Sequence, residues 1–276
     1  MRASVRRVNA LMFAVGMGMA GSAMGATVLT DDFNSYTTGI DLVGQDSWLQ
    51  TGTATVANHI QAVSPGVGGT GNQVSLLTSG QDIYKAFTSS VPHTDGTSIY
   101  TGMDVTVTAA QTGDYFVHLS DPVGTTTAFF QRLFAKTSTV GGDFQLGITD
   151  TSGGSPVTDY GSTGLTFNTT YHVVVAWNFV AGTLNDTFKV YVNPTDPVDA
   201  NNPVYVSHTW SSTTAEPAQL TEFNFRQGGA TASASAKVDN ISVGTSGTDV
   251  GIPEPASLAL ISVGGLSMLR RRRKTA

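Results

Sequence analysis

Every second residue from Tyr171 to Phe179 is large and apolar: Tyr171, Val173, Val175, Trp177 and Phe179. Side chains on a strand point alternately to its two faces, so this period of two predicts a β-strand with one face buried. After Ala181-Gly182 and Asn185-Asp186 comes Thr187-Phe188-Lys189-Val190-Tyr191-Val192, closed by Asn193-Pro194. The two segments read as a hairpin with a loop of several residues. Further strands are expected at Ser98–Thr108, Tyr115–Leu119, Ala128–Lys136, Phe144–Thr149, Pro203–His208, Glu222–Arg226 and Lys237–Val243. Turn sequences separate them: Thr112-Gly113-Asp114, Asp121-Pro122, Gly141-Gly142-Asp143 and Ser152-Gly153-Gly154. No amphipathic helix of useful length lies among them, so the expected class is all-β, a two-sheet jelly-roll sandwich.

Both ends of the chain fall outside this pattern. Arg2, Arg6 and Arg7 precede an apolar stretch, Leu11 to Ala20, and Ala23-Met24-Gly25 ends it with small residues. This order reads as a signal peptide over residues 1–25, removed by signal peptidase after export by the Sec route. At the other end Pro253-Glu254-Pro255 precedes the fourteen apolar and small residues from Ala256 to Leu269, then Arg270-Arg271-Arg272-Arg273-Lys274. As a helix that run spans about 21 Å, short of the hydrocarbon core. The basic cluster would halt it with the charges on the cytoplasmic side.

Removing both ends changes the charge. Between residues 26 and 252 six Lys and Arg face nineteen Asp and Glu, a net charge of −13. That field repels nucleic acid and excludes it as a natural partner. Seventeen of the acids are Asp, a residue of turns and caps rather than helices. There is no Cys, hence neither disulfide nor thiolate metal site. About 225 residues suffice for one large β domain, taken as residues 26–245, with a Gly/Ser/Thr linker at 246–252.

Pro253-Glu254-Pro255, the apolar run and the Arg cluster together resemble the PEP-CTERM sorting signal of exported bacterial proteins. The resemblance covers residues 253–276. It implies an inner-membrane intermediate that exosortase cuts near Pro253, Glu254 and Pro255, with Arg270, Arg271, Arg272 and Arg273 as stop-transfer cluster. It also implies release to the surface or matrix of a cell that makes extracellular polysaccharide. A second resemblance spans about residues 27–245. Asp31-Asp32-Phe33-Asn34-Ser35-Tyr36, the Tyr171–Val192 hairpin and Val238-Asp239-Asn240-Ile241-Ser242-Val243 are similar to the concanavalin A-like, laminin-G-like jelly roll. It implies that the first and last strands are neighbours.

Catalysis has little support in the residues, and no catalytic residue is assigned. A retaining glycosidase needs two carboxyl groups about 5–5.5 Å apart. The glucanases of the resembled fold carry a Glu-x-Asp-x-x-Glu cluster on one strand, which this chain lacks. Glu216 and Glu222 are separated by Pro217, and Glu222 is expected to face solvent. Asp31 and Asp32 are adjacent and point to opposite faces. His59, His93, His118, His172 and His208 are scattered without metal-ligand spacing, with His172 half-exposed, and there is no Gly-x-Ser-x-Gly elbow.

Binding residues are more legible. If the terminal strands pair, Asp31 or Asp32 approaches Asp239, giving a structural calcium site of carboxylate oxygens. Trp48, Tyr160 and Trp210 stand in polar surroundings and are candidate sugar platforms, whereas Trp177 lies in the core register. The sequence thus predicts a non-enzymatic, exported domain that associates with polysaccharide. A divergent glycoside hydrolase and a structural envelope protein without specific ligand are the alternatives.

Overall fold

The computed structural model describes residues 25–53, 56–154, 156–196 and 202–251. The leader up to Met24, the sorting residues Pro253, Glu254 and Pro255, and the cluster Arg270 to Arg273 lie outside the described residues. Fifteen strands make up the described fold. They are β1 (Thr27–Asp31), β2 (Leu49–Gln50), β3 (Gln61–Val63), β4 (Gln73–Leu76), β5 (Ile83–Pro92), β6 (Ser98–Ala109), β7 (Asp114–Ser120) and β8 (Phe129–Thr137). The rest are β9 (Phe144–Thr151), β10 (Asp159–Tyr160), β11 (Thr170–Asn178), β12 (Thr187–Val192), β13 (Val206–Thr209), β14 (Gln219–Phe225) and β15 (Ser235–Gly244).

They form two antiparallel sheets, the expected jelly-roll sandwich. The eight-stranded sheet runs β13-β12-β11-β6-β15-β4-β3, with β1 also on β15. The seven-stranded sheet runs β10-β9-β8-β7-β14-β5-β2. The expected hairpin is β11–β12, with Trp177 opposite Phe188. The terminal strands are neighbours, Asp31 facing Ile241 across the ladder. One apolar interior lies between the sheets, with Trp177 tilted against Phe188 at 4.9 Å and Trp48 stacked on Phe225 at 5.3 Å.

Two expectations need correction. The alternation in β11 suggested one buried face, yet Val174 and Ala176 on the other face are buried too. With Tyr191 they pack under Val250, carried by a single 3₁₀ turn, Gly247–Val250. A capping box between Ser246 and Asp249 forms that turn, and Gly102 lets it approach, since a Cβ there would lie 2.6 Å from the Val250 carbonyl. Residues 246–251 are therefore packed on the domain rather than extended as a free linker.

The second correction concerns residues 27–92, where five strands form and the sequence showed only the opening motif. The inward positions of β5 are Ile83, Lys85 and Phe87. A lysine breaks the apolar alternation, so the strand is invisible to a pattern search. Lys85 is inward because Asp31 is there: its ammonium lies 2.9 Å from the Asp31 carboxylate and 2.7 Å from Asp46. Asp31 also accepts hydrogen bonds from the Tyr36 hydroxyl (2.6 Å), the Trp48 indole (2.9 Å) and the Phe33 amide (3.0 Å). Burial and the two acids push the Tyr36 phenol far above its ordinary range, so it stays a donor.

Removing one partner of a buried ion pair strands the other charge, at a cost of about 3–5 kcal/mol. Asp31→Ala is therefore expected to lower unfolding stability by about that amount in urea titrations. The same substitution in a Lys85→Met background should cost clearly less, because no ammonium is left unpaired. Equal losses in the two backgrounds would show that the pair does not couple the sheets.

Candidate binding face of the seven-stranded sheet

Alternation along β7 and β8 sends one set of side chains into the core and the other outward. Phe116, Leu119, Phe130, Leu133 and Ala135 are core residues. Tyr115 and Phe134, opposite each other in register, lie outside that core cluster with rings 5.5 Å apart, yet both are buried beneath neighbouring side chains. Tyr160 on β10 extends the row, its ring edge-on to Phe134 at 6.4 Å. Gly147 stands opposite both residues, and a Cβ there would lie 2.6 Å from the Tyr160 ring. The missing side chain is what lets that ring lie across β9.

Cations cover the row. The guanidinium carbons of Arg226 and Arg132 lie 4.2 and 4.8 Å from the Tyr115 ring centre, and the Lys136 ammonium lies 3.9 Å from that of Tyr160. Such contacts are worth about 0.5–1 kcal/mol when exposed and more when water is excluded. Burial pushes the Tyr160 phenol up to about 12, so it remains a hydrogen-bond donor.

A buried polar cluster adjoins the row. β8 carries a bulge at Gln131, whose φ of 47° turns its side chain inward to accept from the Thr101 hydroxyl at 2.8 Å. The next residue, Arg132, points outward beside His118. His118 pairs in register with Asn224 on β14 and packs on Phe129 at 4.5 Å. It is 2% exposed, and neither ring nitrogen has a hydrogen-bond partner. Burial first, then the positive charges of Arg226 and Arg132, hold it neutral, well below its ordinary pKa. Asn224 donates to Ser120 Oγ (2.9 Å) and Glu222 Oε1 (3.3 Å), while its own Oδ1 is unpartnered. Glu222 accepts from the Gly124 amide at 2.7 Å, tying loop 121–128 across this part of the sheet. Glu222 was expected in solvent; it is fully buried, and burial raises its pKa.

The other sequence candidates go elsewhere. Trp48 and Trp210 are buried core residues, so neither offers a face to a ligand; Tyr160 alone of the three lies on the outer face. The proposed calcium set is not assembled. Asp31 is engaged by Lys85, Asp239 accepts the Val67 and Asn240 amides (2.9 and 2.8 Å), and Asp32 accepts the Asn34 amide (3.1 Å). Among the described residues their oxygens do not converge as those of a metal site do; the counter-charge at Asp31 is an ammonium. A groove of about 390 Å³ does open beside Asp31, Asp32, Asp46 and Asn240.

His93, Asp186 and Glu216 gather within 4.8 Å, a set the sequence spacing hid because three separate loops supply it. Their atoms are already used. Asp186 accepts from Trp177 Nε1 and the Val180 amide, both at 2.7 Å, and pairs with His93 at 2.7 Å, while Glu216 accepts the Asn185 amide at 3.0 Å. The cluster fits a buried anchor for the β11–β12 loop. His172 is half-exposed, as expected, and bonds Asp104 at 2.9 Å.

No protein-family model matches the chain, and no curated protein sequence matches it. Solved structures do resemble it. Domain 4 of AbnA, a GH43 extracellular arabinanase from Geobacillus stearothermophilus solved in complex with arabinotriose, is 12% identical, with 82% of this chain and 97% of that one covered at a TM-score of 0.48. The T. cruzi calreticulin globular domain is 10% identical over 80% of this chain and 88% of that one, at 0.49. The Emp47p carbohydrate recognition domain is 11% identical over 79% and 93%, at 0.43.

A buried polar group without a partner costs about 1–3 kcal/mol, so this cluster is kept at the expense of stability. His118→Phe should leave unfolding stability at pH 7 unchanged or raise it by about 1 kcal/mol. It should also remove a pH dependence. The folded-state pKa of His118 is depressed, so the unfolded chain takes up the proton as pH falls below about 6.5, and stability is lost on acidification. His208 works the other way: burial is outweighed by Asp150 and Asp159, its pKa is raised, and its contribution fades as pH rises through the folded value. Melts of the two single variants, His118→Phe and His208→Gln, between pH 5 and 8 should separate the opposing slopes. A loss above about 1 kcal/mol for His118→Phe would mean that its nitrogens are satisfied.

Proposed function

We propose that this chain is an exported, exosortase-processed surface or matrix protein whose jelly-roll domain binds carbohydrate without catalysing its breakdown. The observation that carries the binding reading is Tyr160, half-buried on the outward side of the seven-stranded sheet, its ring under the Lys136 ammonium and backed by the buried rings of Phe134 and Tyr115. A sugar presents apolar C–H faces and a rim of hydroxyls, so it is recognised by rings beside convergent polar groups. Here the Lys136 ammonium lies over the Tyr160 ring and the half-buried Arg132 guanidinium over the adjoining Tyr115 ring. The two glutamates of the domain support no carboxylate pair, since Glu216 serves the β11–β12 loop and Glu222 the loop at Gly124.

The export reading rests on the sequence of the two ends. Signal peptidase acts near Gly25, the tail pauses in the inner membrane, and exosortase releases the domain near Pro253-Glu254-Pro255. Intact mass of protein recovered outside the inner membrane should correspond to a chain beginning near Ala26 and ending near Pro253. A full-length tail retained in the inner membrane would sink the processing part alone.

Binding is tested by affinity electrophoresis of the protein through gels containing soluble polysaccharides. Tyr160→Ala should weaken the interaction about tenfold without changing the melting temperature by more than a degree or two. Retardation identical in wild type and Tyr160→Ala would remove the face from the proposal.

A further inference from the structure

Resting on that reading, we infer that the polysaccharide recognised by this face is anionic, its carboxylate or sulfate groups meeting Arg132 and Lys136. The two cations sit four residues apart on one strand, facing the same way, which places them about 13 Å apart with Phe134 between. With nineteen acids to six cations, carboxylate partners are abundant. Lys85 has Asp31 and Asp46, and Arg226 has Asp114 at 2.7 Å and Asp82 at 3.9 Å. Among the described residues Arg132, Lys136 and, on the other sheet, Lys237 have no carboxylate at ion-pair distance; of these three, Arg132 and Lys136 lie over aromatic rings.

Arg132 and Arg226 lie against the same Tyr115 ring, and the comparison isolates what Arg132 lacks. Burial disfavours charge on both. For Arg226, Tyr115, Asp114 and Asp82 outweigh it, and the guanidinium pKa is raised. For Arg132 nothing does, and its pKa is lowered. Asp150, whose field reaches Arg132, spends its oxygens on the Thr151, Ser211 and Ser212 amides. Arg132 donates one nitrogen to the Thr151 carbonyl, and its buried Nε has no acceptor.

The neighbouring acids do not take up these charges. Asp159 precedes Tyr160 but pairs with His208 at 2.7 Å, Asp114 pairs with Arg226, and Glu222 accepts from Gly124. Two cations held over aromatic rings on one face of β8, without carboxylate partners, therefore form an anion-recognition element inside an acidic domain. The net −13 does not forbid it, since at physiological salt the general field is confined to about 8 Å and contact charges decide.

The test compares gels loaded with dextran, dextran sulfate or polygalacturonate, which separate backbone, sulfate and carboxylate. Retardation by one or both polyanions, absent with dextran and reduced at least tenfold in the double variant Arg132→Gln/Lys136→Gln, is the expected result. Lys237→Gln removes a cation from the other sheet and should bind as wild type, which excludes a mere net-charge effect. Polyanion binding unaltered in the double variant would overturn the inference. Retardation by dextran that is lost in Tyr160→Ala but kept in the double variant would overturn it too, leaving the carbohydrate reading intact. Folded wild-type protein that none of the three polymers retards, and that a broad glycan array leaves unbound, would overturn both.

Discussion

The ion pair between Asp31 and Lys85 joins one sheet to the other inside the domain. Asp31 ends β1 of the eight-stranded sheet, and Lys85 lies on β5 of the seven-stranded sheet. Two opposite charges are taken out of water together, and the cost is recovered only if both are fully bonded. The local chain is arranged to that end. Tyr36, Trp48 and the Phe33 amide complete Asp31, and Asp46 completes Lys85. Trp48, held by this carboxylate, then stacks on Phe225 of β14. The segment from β1 to β2 thereby docks onto the sheet that carries the outer aromatic row.

That row depends on small departures from regular structure. One bulge on β8 turns Gln131 into the core, which leaves Arg132 outward beside His118. One glycine, Gly147, makes room for the Tyr160 ring. Loop 121–128 is tied to the sheet by the Gly124 amide, which donates to the Glu222 carboxylate. None of these features adds to the core. They set which groups face outward and at what spacing, and they leave several polar atoms buried without partners. Sites that keep such costs are those where something other than stability selects the residues.

The acid excess of the domain has two different uses. Asp31 and Asp186 are internal anchors, each accepting several hydrogen bonds from buried donors. Others, such as Asp114 and Asp159, neutralise individual cations and histidines. Arg132 and Lys136 take no part in this arrangement and lie instead over the Tyr115 and Tyr160 rings.

The pairing of the terminal strands was implied by the resemblance of their motifs to the concanavalin A-like jelly roll. Period-two alternation, a turn-rich composition and the absence of helical patterning sufficed for the class of fold and the β11–β12 hairpin. Those are local or near-local properties: each strand declares its own buried face. The same reading missed β5, because its inward Lys85 is acceptable only when Asp31 lies opposite, fifty-four residues away. It placed Trp48 and Trp210 among ligand platforms because their neighbours in sequence are polar; in the folded chain their neighbours are Phe225 and Trp177. The alternation Arg132-Phe134-Lys136 was already present in the chain, but its face was undecidable until the bulge at Gln131 was known. A one-residue shift in a strand exchanges its two faces, and only cross-strand register sets that shift. Burial patterns are written in the chain; which side of a bulged strand meets a ligand is written in its partners.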